Sequence, residues 1–213
     1  MFAAILFCGL TTTVFTSCGG DDDNNNNNNK NTPTPETPKA YTVNLDFVMH
    51  EKTFGMMTVD FTYTDAKGES KTMLIDKSKA PNAQLTALEK KFFDNDPTLN
   101  MFRGDESEQK YPGINDYLDS KHLKVYRVTL ENVAVGTTIT TTAQAHILDS
   151  FQPKEENDYA LMPTVLISKS NADRLMTSNT LSLSFFSAKN WDKLKTILTS
   201  RELGACMNTI EVQ

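Results

Sequence analysis

The strongest constraint on the fold is an alternation of apolar and polar residues with a period of two. Tyr41, Val43, Leu45, Phe47 and Met49 fall on one face, and Thr42, Asn44 and Asp46 on the other. Met57, Val59, Phe61 and Tyr63 repeat the pattern against Thr58, Asp60, Thr62 and Thr64. Side chains point to opposite faces only in a strand, so this period predicts half-buried β-structure and no helix. Asp65-Ala66-Lys67-Gly68 then suits a type I turn with glycine in the left-handed region, returning the chain into a strand over Ser70–Ile75. The three segments are expected to form a meander.

A second β block starts near Leu123. Leu123, Val125, Val128 and Leu130 lie in a β-branched run, and Thr137–Thr142 favours a pleated surface. Further strands are expected at Tyr159–Ser168, Thr180–Phe186 and Met207–Val212. Helical periodicity is scarce. Leu85, Leu88 and Phe92 mark one helical face over Gln84–Phe93, with Pro81 and Asn82 as its start. Ala188, Trp191, Leu194, Ile197 and Leu198 mark another over Ser187–Leu198, which makes Trp191 a core residue. Ser170-Asn171-Ala172-Asp173 reads as one capped turn. Asp94–Gly113 lacks periodicity and reads as a long loop. The fold class is therefore mainly β: an antiparallel sandwich or barrel of about eight strands with two or three short helices.

The first forty residues belong to another category. Phe2–Phe15 is apolar and uncharged, shorter than the about 20 residues a membrane span needs. Small residues follow it, as in a secretion signal. Phe15-Thr16-Ser17-Cys18 resembles the lipobox of bacterial lipoproteins, with Phe15 where Leu is usual. The missing basic n-region fits a start codon lying further upstream. The resemblance implies lipidation of Cys18, by diacylglycerol on its thiol and an acyl chain such as palmitate, and removal of residues 1–17 as a signal peptide.

Residues 18–40 then form a lipidated cysteine and a disordered tether: Asp21–Asp23, Asn24–Asn29, then Thr-Pro repeats. As a coil its 22 residues after Cys18 span roughly 26 Å. Acids just after the lipidated cysteine resemble the export signal of surface lipoproteins of the Bacteroidota. The implied location is the outer membrane, with the cell surface favoured over the periplasmic face. Residues 41–213 remain as a single β-rich domain. Cys206 is then alone, forms no internal disulfide, and reads as a buried thiol.

Signatures of chemistry are sparse. The net charge of −6 argues against a nucleic-acid partner. His50, His122 and His146 have no zinc spacing. His146 reads as a structural strand residue. Asp94-Asn95-Asp96 begins like a calcium loop but lacks its third ligand and its glycine. The acidic runs Asp105, Glu106, Glu108 and Glu155–Asp158 read as solvated loops. Walker A, the dinucleotide fingerprint and the nucleophile elbow are absent, so no metal or cofactor is expected. For a glycan, exposed aromatic rings would be the platform, and Tyr111 and Tyr117 flanking Pro112-Gly113 are the candidates. The expected function is a non-catalytic binding or interaction module held by a lipid anchor, with a protein, small molecule or glycan as partner. The alternative is a lipocalin-like barrel carrying a small apolar ligand, and third an envelope hydrolase.

Overall fold

A computed structural model describes residues 39–153, 158–177, 181–192, 195–196 and 205–213, all inside one compact unit, Thr37–Gln213. The expected signal segment, Cys18 and nearly all of the expected tether lie outside the described residues, as do Glu155, Glu156 and part of the helix expected over Ser187–Leu198.

Nine strands occur among the described residues: β1 (Ala40–His50), β2 (Met57–Thr64), β3 (Ser70–Ile75), β4 (Leu123–Ala134), β5 (Thr138–Ile147), β6 (Asp158–Leu161), β7 (Thr164–Lys169), β8 (Leu183–Phe186) and β9 (Ala205–Glu211). They form three antiparallel sheets, ordered β4-β1-β7, β3-β2-β5-β9 and β6-β8. The first two face each other as a sandwich rather than closing into a barrel. Val43, Leu45, Phe47 and Met49 of β1 meet Met57, Val59 and Phe61 of β2 across the interior. Phe47 stacks on Phe61 with ring centroids 5.2 Å apart. The alternating faces are thus where the sequence puts them.

The expected meander is only half formed. β2 and β3 make the hairpin, with Gly68 at φ 82° and the Asp65 carboxylate accepting from the N–H groups of Lys67 and Glu69. β1 belongs to the opposite sheet. Residues Glu51–Gly55 form a 3-10 turn that carries the chain across the sandwich. Two strands with the same inward pattern can bury it by facing each other as well as by lying side by side, and here they face.

β1 is the centre of the molecule. Val48 and Asp46 point away from the first core, yet both are buried. A second core covers that side: Val48, Val125 and Leu166 of the sheet pack against Phe93, Leu99, Ile114, Tyr117 and Leu118. Those five come from α1 (Ala87–Asp94), α2 (Pro97–Asn100), α4 (Ile114–Tyr117) and the residues next to them; α3 (Asp105–Lys110) lies between. The expected long loop over Asp94–Gly113 is therefore largely helical. Helices of four to six residues are too short to show a 3.6 period. Local caps hold them instead: Asp96 accepts from Leu99 N at 3.0 Å with Pro97 in the first turn.

Other boundaries also move. α1 begins at a Thr86–Glu89 capping box, not at Pro81. Asn82 and Ala83 instead lie along the outer edge of β4, both donating to Val125 O, at 3.2 and 3.3 Å. The Asn82 amide accepts from Arg127 N at 2.7 Å and donates to Arg127 O at 3.0 Å. The far edge of the same sheet is covered at Met176, which donates to Ile167 O at 2.7 Å. Ser170–Asp173 makes a turn with Asn171 at φ 60°. Tyr159–Ser168 divides at Met162-Pro163 into β6 and β7. The last expected helix opens with a 3-10 turn, Ala188–Asn190, and residues 191–192 and 195–196 beyond it are helical, with Trp191 buried as expected. The mainly β class holds, with four short α-helices, α1 to α4, among the described residues.

The outer face of the four-stranded sheet carries short polar residues. Thr62 bonds to Thr72 at 3.0 Å, and Thr140 meets Thr209 at 3.5 Å. His146 sits on this face, half exposed, with Nε2 3.0 Å from Asp60 Oδ2. Cys206 lies in β9 opposite Ala143.

Candidate functional site

Three groups of polar side chains gather on the helical side of β1. The innermost is a charged trio. Asp46 and Arg127 are directly opposed on β1 and β4. Arg127 donates from Nε to Asp46 Oδ1 at 2.7 Å and from Nη2 to Oδ2 at 2.5 Å. Glu89 of α1 completes the trio, with Oε2 accepting from Thr86 N at 2.8 Å and lying 3.5 Å from Arg127 Nη2. Both carboxyl groups have no exposure. Glu89 Oε1 is buried and meets no donor. Beside the Asp46 carboxylate it is satisfied once protonated, because it then donates. Burial first, and the neighbouring Asp46 second, push the Glu89 carboxyl up to about 7.

The second group surrounds His50, which is fully buried. Its Nδ1 accepts from Lys52 N at 3.1 Å, so its Nε2 carries the proton donated to Tyr117 O at 2.9 Å. The ring stacks on Tyr117 at 3.8 Å. Burial lowers its pKa to about 4. Tyr117 is not an exposed ring: it is 3% exposed, and its Oη accepts from Leu161 N at 2.9 Å. Burial pushes its hydroxyl up to about 12. The expectation of Tyr117 as a surface platform is corrected, because α4 turns it into the second core. Tyr111 is half-buried, against Phe185 at 4.6 Å and Tyr159 at 6.4 Å. The two tyrosines are brought together only through Tyr159, which meets Tyr117 edge-on at 4.9 Å.

The third group reaches solvent. His122 Nδ1 lies 2.8 Å from Glu51 Oε1, and its Nε2 lies 3.3 Å from Asp116 Oδ2 without hydrogen-bond geometry. Lys124 meets Glu51 at 2.8 Å; Lys121 meets Asp116 at 2.6 Å and Asp119 at 3.4 Å. Hydrogen bonds from Lys124 and then His122 hold the Glu51 carboxyl down at about 2.

Beside this network opens a cleft of about 680 Å³, between the segment Pro81–Leu85, Lys90 of α1 and residues 119–124. Three ammonium groups, Lys90, Lys121 and Lys124, line it against one carboxylate, Asp119. A second cleft, of about 650 Å³, has Lys169 and Arg174 against Asp173 and Glu211, and so is balanced in charge.

Two of the acids singled out in the sequence have structural roles. Asp96 caps α2, and Glu108 accepts from the N–H groups of Gly113 and Asn115. No group of three or more side chains able to hold a metal ion occurs among the described residues. Among them, no helix is long and apolar enough to cross a membrane. Sequence reasoning missed the trio and the cleft. Asp46 was legible only as one polar residue in an alternating strand; the apolar Val48 on the same face was the signal that this face is covered too. Comparison with family models, curated proteins and solved structures finds no match to this chain.

Proposed function

We propose that the chain is a lipid-anchored envelope lipoprotein whose β-sandwich is a non-catalytic binding module, with the cleft beside α1 as its site. The observation that carries the reading is that cleft. Its volume falls within the about 300–1,000 Å³ of small-molecule sites. One wall is held by ion pairs, Lys121 with Asp116 and Asp119 and Lys124 with Glu51. The lipobox-like Phe15-Thr16-Ser17-Cys18 and the acidic tether support anchorage at the outer membrane, on the outward side. The lipocalin-like alternative required a barrel. In the sandwich the inward Phe and Met side chains pack against one another, so that form of the carrier is set aside.

Fractionation of cells tests the anchor. Cys18→Ala is expected to move the protein out of the membrane and detergent phases; if it stays there as the wild type does, the lipoprotein reading fails. Protease added to intact cells is expected to degrade the domain, whereas protection until lysis places it on the periplasmic side. For the site, Ser120→Trp is expected to abolish ligand binding while leaving the far-ultraviolet spectrum unchanged.

A further inference from the structure

We infer that the cleft takes a small polyhydroxylated organic anion bearing two or more carboxylate or sulfate groups; this rests on reading the cleft as the binding site. The charge is the first argument. The chain carries a net −6, yet the lining of this cleft has three lysines from three separate elements and one carboxylate, Asp119. The Glu51 and Asp116 carboxylates that pair with Lys124 and Lys121 are not in the lining, so the charge presented to a guest is positive.

The second argument is which donors remain uncommitted. Lys121 is paired with Asp116 and Asp119, and Lys124 with Glu51. An ammonium has three donors, so each keeps capacity for a guest. The Lys90 ammonium, the Gln84 amide and the Ser120 hydroxyl have no side-chain partner among the described residues, and all three line the cleft. Separated cations call for separated anionic groups on one molecule rather than a single inorganic ion. The third argument is the lining between them. Leu85, Leu123, Ala83 and Pro81 present aliphatic surface to C–H faces, while Gln84, Ser120 and Asp119 suit hydroxyl groups. An acidic sugar oligomer has all three features.

Calorimetric titration of the purified full chain at low salt tests this, with trigalacturonate and a sulfated disaccharide as probes, and galactotriose and inorganic sulfate as controls. One or both polyanionic probes are expected to bind at one site, with the controls silent. Lys90→Glu is expected to weaken binding about tenfold at low ionic strength, an effect that shrinks as salt rises. Lys67→Glu, on the β2–β3 turn far from the cleft in the fold, is expected to leave it unchanged. If Lys90→Glu perturbs the fold, Lys90→Gln with Lys124→Gln gives the same reading without charge reversal. Equal loss in the Lys67 and Lys90 variants, or no binding of either polyanion, overturns the proposal. Galactotriose binding that Ser120→Trp abolishes overturns the ligand class alone and leaves the binding site standing.

Discussion

Arg127 holds Asp46 through two hydrogen bonds from the position directly opposite it on the neighbouring strand, and Asp46 has no exposure. The pair is the electrostatic floor beneath α1. Removing one member strands the other. Arg127→Met is expected to cost about 3–5 kcal/mol in urea unfolding, because a buried carboxylate loses its counter-charge. Asp46→Leu combined with Arg127→Met is expected to regain more than half of that. A double variant as damaged as Arg127→Met alone would show that the ion pair is not the cause.

The Glu89 carboxyl, raised from 4.5 to about 7, binds a proton in the folded chain that the unfolded chain has released. Its stabilisation is full below about 4.5 and is lost as pH rises through about 7. His50, lowered from 6.5 to about 4, acts in the opposite sense. Its unfolded form takes up a proton first, so its share of stability falls as pH drops from 6.5 toward 4. The two slopes oppose each other between those limits. Glu89→Gln is expected to leave a stability that rises with pH across this window. His50→Gln is expected to leave one that falls. Identical pH profiles for both variants and the wild type would refute the linkage.

The His50 ring can be followed directly. Its Nε2–H donates to the Tyr117 carbonyl and its Nδ1 accepts from Lys52 N. Proton NMR is therefore expected to show the Nε2–H tautomer at neutral pH, with the ring signal unmoved down to pH 5.5 or so and shifting only near 4. A midpoint near the unperturbed value would mean that the ring is not enclosed as described.

Tyr117→Phe tests the polar anchor of α4. The substitution keeps the ring stack on His50 but leaves Leu161 N–H without its acceptor. A cost of about 1–3 kcal/mol is expected for that stranded buried donor. Phe47→Ala, between the two sheets, is expected to cost about 3–5 kcal/mol through the cavity it opens. A smaller loss at Phe47 than at Tyr117 would place the main packing energy on the wrong side of β1.

The strands were legible because their signal is local. Met57, Val59 and Phe61 alternate strictly, and they line the interior. What escaped was set by distant partners. Nothing near residue 46 states that an arginine 81 positions away will stand opposite it. Tyr117 follows a Pro-Gly pair and looked like a loop residue, but a four-residue helix is enough to rotate its ring inward. The cleft likewise joins lysines from positions 90, 121 and 124, whose convergence exists only once α1 has docked. Strand pairing also escaped, since β1 and β2 have the same pattern whether they lie side by side or face to face.

The Asn82 side chain has a further consequence. Its amide offers one carbonyl and one N–H to the N–H and carbonyl of Arg127, the same pair of bonds that another strand would make. It therefore ends the ladder the way a chain terminator ends a polymer: it fills the next bonding position and supplies none of its own. A second copy of this domain cannot pair with β4 at Arg127 while that amide is in place.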